Sequence, residues 1–110
     1  MKVTVVKNHL GEGQFPTFPK GTDVEITDKE CTHFLNWYPC KIKGHATYVP
    51  DVIVVGGKLV RDYNPTELIC KAGEILEVKE IFYAWFMAEK PDGCVGWIPA
   101  ELCVSSNEPM

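Results

Sequence analysis

Cysteine and histidine are the residue types in this chain that could do covalent or metal chemistry. Five cysteines stand at positions 31, 40, 70, 94 and 103, and three histidines at 9, 33 and 45. Cys31 with His33, and Cys40 or Cys94 with His45, are the pairs in which an imidazole could take the proton of a thiol. A cysteine nucleophile needs that base within hydrogen-bond reach and an environment that lowers its pKa. The sequence supplies nearness along the chain, but no third orienting group and no nucleophile motif. Structural zinc sites favour C-x2-C pairs; here both Cys31 to Cys40 and Cys94 to Cys103 are C-x8-C. The carboxylates Glu74, Glu77 and Glu80 read as solvated strand and turn positions rather than an acid–base pair. The expectation is a non-enzymatic protein with no catalytic residue, no metal and no cofactor. Its cysteines serve mainly as small buried hydrophobes, and their odd number leaves at least one unpaired.

The elements that must position any site are short strands. Hydrophobic residues make up 45% of the 110 and charged residues 24%, with 9 glycines and 8 prolines, the balance of one loop-rich globular domain's worth of chain. No apolar run approaches the length of a membrane span, so no membrane partner is expected. The opening MKVTVVKNHLGEG lacks the apolar core of a secretory signal, which predicts a soluble, cytoplasmic protein with reduced thiols. A formal net charge of −4 argues against a nucleic-acid partner. The one small basic cluster, Lys41 to His45, reads as a solvated hairpin. Residues 1–57 carry six acidic and six basic groups, whereas 58–110 carry nine and five, so charge would steer a partner to the second half. Nothing shows a sustained 3.6-residue apolar period, and alternation around Val3, Val5, Leu76, Val78, Trp85 and Phe86 predicts strands.

The halves resemble each other. KGTDVEI at 20–26 aligns with AGEILEV at 72–78, NWYPCK with AWFMAE, and TYVPDVIV with GWIPAELC, so that Trp37 meets Trp85, Tyr48 meets Trp97 and Pro50 meets Pro99. Three matches in the same order point to a duplicated β unit whose loops have taken insertions. The boundary is expected at Gly56-Gly57, with repeat one over 2–55, repeat two over 58–104 and a flexible tail over 105–110. Two glycines leave almost no linker, so the repeats should pack together. Closing each small sheet into a barrel would remove its exposed edges.

Four motifs of the second repeat carry a family resemblance. LVRDY looks like the ALYDY motif of Src-homology-3 (SH3) domains, and TELICKAGEILEV like that family's D-E-L-S-F-K-K-G-D-I-L-E-V stretch. AWFMAE is similar to W-W-K-A-R, and GWIPAEL to G-Y-I-P-S-N-Y. The whole therefore resembles a tandem of SH3-like barrels, an all-β fold. The resemblance implies a groove that takes a protein segment, a proline-rich one with a basic flank, as a polyproline II helix. It places Tyr63, Trp85, Trp97, Pro99 and Leu102 on that groove, with Glu67 as the acid that selects the flank. Arg61 and Leu102 stand where the family has tyrosines, which alters one proline pocket. In the first repeat the aligned residues are Lys7, His9, Phe15, Trp37, Tyr48, Pro50 and Ile53, and little of the groove persists. The resemblance also puts Cys70 and Cys40 at core positions and leaves Cys31 and Cys94 as the exposed thiols.

The function expected is a protein-interaction module binding a peptide or protein surface through the second repeat. The alternative is a structural or assembly unit whose aromatics are consumed between repeats or in an oligomer. Cell-wall binding, known for bacterial SH3-like repeats, ranks after both.

Overall fold

The computed structural model describes residues 1–11, 13–30 and 34–106. It is all-β: ten strands and two single-turn 3-10 segments make up the regular structure of the described residues. The strands are β1 (Lys2–Val5), β2 (Glu25–Ile26), β3 (Trp37–Ile42), β4 (His45–Pro50), β5 (Val54–Val55), β6 (Lys58–Leu59), β7 (Ile75–Phe82), β8 (Trp85–Glu89), β9 (Val95–Pro99) and β10 (Cys103–Ser105). The 3-10 turns cover Asp51–Ile53 and Ala100–Leu102, each directly after a proline that holds its backbone extended. Among the described residues no helix is long and apolar enough to cross a membrane.

The chain forms two compact units, and they are not its two contiguous halves. One, the inserted unit, is Gln14–Pro65; the other, the flanking unit, is Met1–Gly13 together with Thr66–Met110. The boundary expected at Gly56-Gly57 lies inside the inserted unit, where β5 and β6 pair as a hairpin across those glycines (Val54 opposite Leu59, Val55 opposite Lys58). Both glycines have positive φ (60° and 75°), the turn geometry a two-residue hairpin needs. They are therefore a tight turn rather than a linker.

In the flanking unit the sheet order is β10-β1-β7-β8-β9, all antiparallel. β1 lies between β10 and β7, with Val3 opposite Leu76 on one side and Ser105 on the other. The alternation that makes it a strand turns Val3 and Val5 into a core with Leu68, Cys70, Leu76, Ala88 and Ile98. Burial of a valine side chain stabilises by about 1.5–3 kcal/mol, which is why the opening strand belongs to this sheet. Ser105 pairs within β10 and the Ser106 N–H donates to the Lys2 carbonyl at 3.1 Å, so the first two residues of the expected tail are part of the sheet. The remainder, 107–110, lies outside the described residues.

The inserted unit has a three-stranded sheet, β2-β3-β4, and the two-stranded β5-β6. β3 and β4 form a hairpin in full register from Trp37 opposite Pro50 to Ile42 opposite His45. Its turn, Lys43-Gly44, has φ of 52° and 82°, the paired positive values of a type I′ turn. Phe18, Val24, Trp37, Cys40, Ile42, Val49, Ile53, Leu59 and Tyr63 are buried.

The same element order, a strand, a hairpin pair, a 3-10 turn and a closing strand, occurs in both units: β2, β3, β4, Asp51–Ile53, β5 and then β7, β8, β9, Ala100–Leu102, β10. The hydrogen-bonded ladders of the described strands do not close on themselves. β10 and β9 remain the two edges of the larger sheet, because the chain passes from one to the other through a 3-10 turn rather than a mutual ladder. The expected closed barrels are thus not formed by strand pairing.

Candidate functional site

The most developed polar constellation in the flanking unit is built where the segment after β1 meets the segment before β7. His9 and Cys70 face each other as an isolated antiparallel bridge, exchanging both backbone hydrogen bonds at 2.8 and 2.9 Å. Asn8 strengthens the approach by accepting the Ala72 N–H at 2.8 Å. On the other side of the same segment, the Leu68 N–H donates to the Trp97 carbonyl at 2.8 Å and the Trp97 N–H to Thr66 at 3.1 Å. That contact requires glycine at position 96, since a Cβ there would stand 2.8 Å from the Leu68 nitrogen and 3.0 Å from its Cα. Lys90 adds a tie from after β8, its ammonium donating to the Ile69 carbonyl at 3.1 Å.

These ties bring His9, Glu67 and Trp85 together. The His9 Nδ1 lies 2.7 Å from the Leu68 carbonyl oxygen and its Nε2 lies 3.1 Å from the Glu67 Oε1. A carbonyl only accepts, so Nδ1 carries a proton. With Nε2 facing a carboxylate, the geometry fits an imidazolium donating from both nitrogens. The side chains of the pair are 12% and 18% exposed, sheltered enough that the contact is shielded from water far better than a surface ion pair. The Trp85 ring meets the His9 ring edge-on, centroids 6.2 Å apart at 67°, an arrangement aromatic pairs favour.

The residues expected to form a groove are distributed unevenly. Glu67, Trp85 and Leu102 are half-buried in the flanking unit. Trp97 is 4% exposed and Pro99 is also buried. Trp97 packs its ring edge-on against Phe82 at 5.5 Å and its backbone bridges to Glu67. Tyr63 belongs to the inserted unit, where it is 4% exposed, bridges to Phe18, and donates its phenol O–H to the Tyr48 carbonyl at 2.5 Å. Within the flanking unit His9 makes the bridge that Tyr63 makes within the inserted one, so an imidazole stands where the resemblance implied a phenol. Trp37, aligned with Trp85, is buried at 4% exposure.

The reactive-residue pairs fare as follows. Cys31 and His33 lie outside the described residues. Cys40 is 2% exposed, and burial pushes its thiol up to about 12, leaving no nucleophilic thiolate near neutral pH. His45 is exposed and meets Phe15 edge-on at 5.9 Å and Phe18 at a tilt at 5.7 Å. Burial likewise raises Cys70, to about 11. Cys94 is exposed, and its hydrogen bond with Asp92 raises its pKa while holding Asp92 low. Among the described residues no three His, Cys, Asp or Glu side chains gather as metal ligands would.

His9 is the member of this site that the sequence reading did not assign to it. Its partner Glu67 is 58 positions away, and the only pointer was the alignment of His9 with Tyr63 between repeats. Comparison with protein-family models, curated proteins and solved structures finds no match to this chain.

Proposed function

We propose that the chain is a non-catalytic protein-interaction module built from two SH3-like units, and that it binds a peptide segment of a partner through the flanking unit. The observation that supports this most is the His9–Glu67–Trp85 cluster. A sheltered ion pair set against a half-buried indole, with Leu102 also half-buried, combines an aromatic anchor with an oriented charge. The shared element order of the units and the four SH3-like motifs of 59–102 support the family reading. The anchors are Trp85, Glu67 and Leu102. Trp97 bridges to Glu67 and Pro99 pairs with Trp85 across the β8–β9 ladder, while Tyr63 bridges to Phe18 inside the other unit.

The test is a proton–nitrogen spectrum titrated with a mixed proline-rich peptide library. The three tryptophans give three indole signals. Movement of the Trp85 indole, with those of buried Trp37 and Trp97 nearly still, is the expected result. Trp85→Ala should then weaken binding at least about tenfold, as truncation of an interface anchor does, while the circular dichroism keeps its β-sheet form. Three silent indoles would overturn the reading.

A structural or assembly role is the second reading, and the burial of Trp37, Tyr63 and Trp97, each 4% exposed, favours it. A dimer in sedimentation that persists in high salt would support that role over peptide capture.

A further inference from the structure

The geometry of His9 points to a control on the site just described, and the inference rests on the peptide-binding reading. A neutral imidazole carries one ring proton. The Leu68 carbonyl at 2.7 Å holds that proton on Nδ1, because the carbonyl has nothing to donate in return. Deprotonation therefore falls on Nε2 and turns its lone pair toward the Glu67 carboxylate at 3.1 Å. Attraction is replaced by lone-pair repulsion, and the half-buried carboxylate is left to find another donor. We propose that His9 is a proton-operated latch on Glu67: doubly protonated it occupies the carboxylate, and on losing its Nε2 proton it releases Glu67 to a lysine or arginine side chain of a partner segment.

The surroundings suit the role. The titratable groups on the strand-like segment opposite His9 are Glu67, Cys70 and Lys71; the Cys70 thiol is held neutral by burial, and Lys71 is exposed to solvent. β8 contributes Trp85, which does not titrate, and its far end carries Glu89, engaged by Lys79 at 3.1 Å. Lys90 is taken up by the Ile69 carbonyl and by Glu74 at 3.5 Å. On its own segment the nearest charge is the exposed Lys7. Glu67 thus has His9 as its charged partner, while the Gly11 backbone, with φ of +72°, passes close to its Cβ. A histidine is the one side chain whose ordinary titration falls between about pH 5 and 8, so the exchange runs over a physiological interval.

Two readouts test it. Ring-carbon NMR of His9 gives its titration midpoint, and the Trp85 indole should shift with that same midpoint in the absence of any peptide. Next, two short proline-rich peptides, one flanked by arginine and one by norleucine, are titrated at pH 5.5 and at pH 8. The preference for arginine should grow about tenfold from the lower to the higher pH, the factor expected for gaining one charge-assisted hydrogen bond. His9→Phe should show the full preference at both pH values, and Glu67→Gln should show none at either. Should one variant fail to fold, the other still decides. A Trp85 indole that ignores the His9 midpoint, or an arginine preference equal at both pH values in the wild-type chain, overturns the latch while leaving peptide binding intact. Failure of both peptides to bind at any pH overturns the peptide-binding reading and the latch with it.

Discussion

Single side chains here are governed by what flanks them more than by their own chemistry. Gly96 is small because a neighbouring backbone needs its space, and it thereby sets the height of Glu67 over β9. Gly96→Ala should push the 66–71 segment outward and cost about 1–3 kcal/mol, as overpacking does. A lowered thermal midpoint with a displaced Trp85 indole would confirm it, and an unchanged midpoint would count against the close contact. The thiols make a second case. Cys40 and Cys70 should resist alkylation until the protein unfolds, whereas Cys94 should react in the native state. Cys94 reacts as thiolate, and the Asp92 carboxylate holds its proton on. Asp92→Asn keeps an oxygen for the Cys94 N–H but removes the charge, so Cys94 labelling at pH 8 should speed up a few-fold, read by mass mapping. An unchanged rate would mean that the hydrogen bond, and not the charge, governs the thiol.

At the level of strands, much was legible and one thing was not. The alternation of Leu76 and Val78 and the strand at Trp85 and Phe86 fall where periodicity puts them, and the hairpin read at Lys41 to His45 turns at Lys43-Gly44. Burial of Cys40 and Cys70 was readable from their alignment with apolar positions. Strand partnership was not readable, because a period of two states which face a side chain takes and is silent about the neighbour. β1 and the 58–63 segment both follow a strand pattern, and each leaves its own half of the sequence to complete the other unit. One of the three residues of the candidate site was hidden by that exchange: Glu67 and Trp85 share a unit, and His9 reaches them only because β1 does. Val5→Ala should therefore cost about 2 kcal/mol, and it should do so selectively. Amide exchange should accelerate at Leu76 and Ile98 of the flanking unit before Val49 of the inserted one. Equal acceleration in both would show the two units opening as one.

For the molecule as a whole, the chain crosses between units twice, after Gly13 and after Pro65. Neither half of the sequence contains a complete unit. Cut at Gly56-Gly57, residues 1–57 and 58–110 should each lack a native β-sheet signal in circular dichroism, and mixing them should restore it. A half that folded by itself would show that its own opening strand can substitute for the exchanged one.

The position of β1 between β10 and β7 also decides how the protein answers to mechanical load. Val3 lies opposite Ser105, so the chain enters β1 and leaves β10 at the same end of an antiparallel pair. Handles attached at Met1 and Ser106 would pull the two strands apart one hydrogen bond at a time, as a zipper opens, instead of loading the whole ladder in shear. Residues 14–65 lie between the crossings and feel no tension until β1 has been stripped from the sheet. Pulling would take apart the His9–Glu67 site first and leave the inserted unit standing.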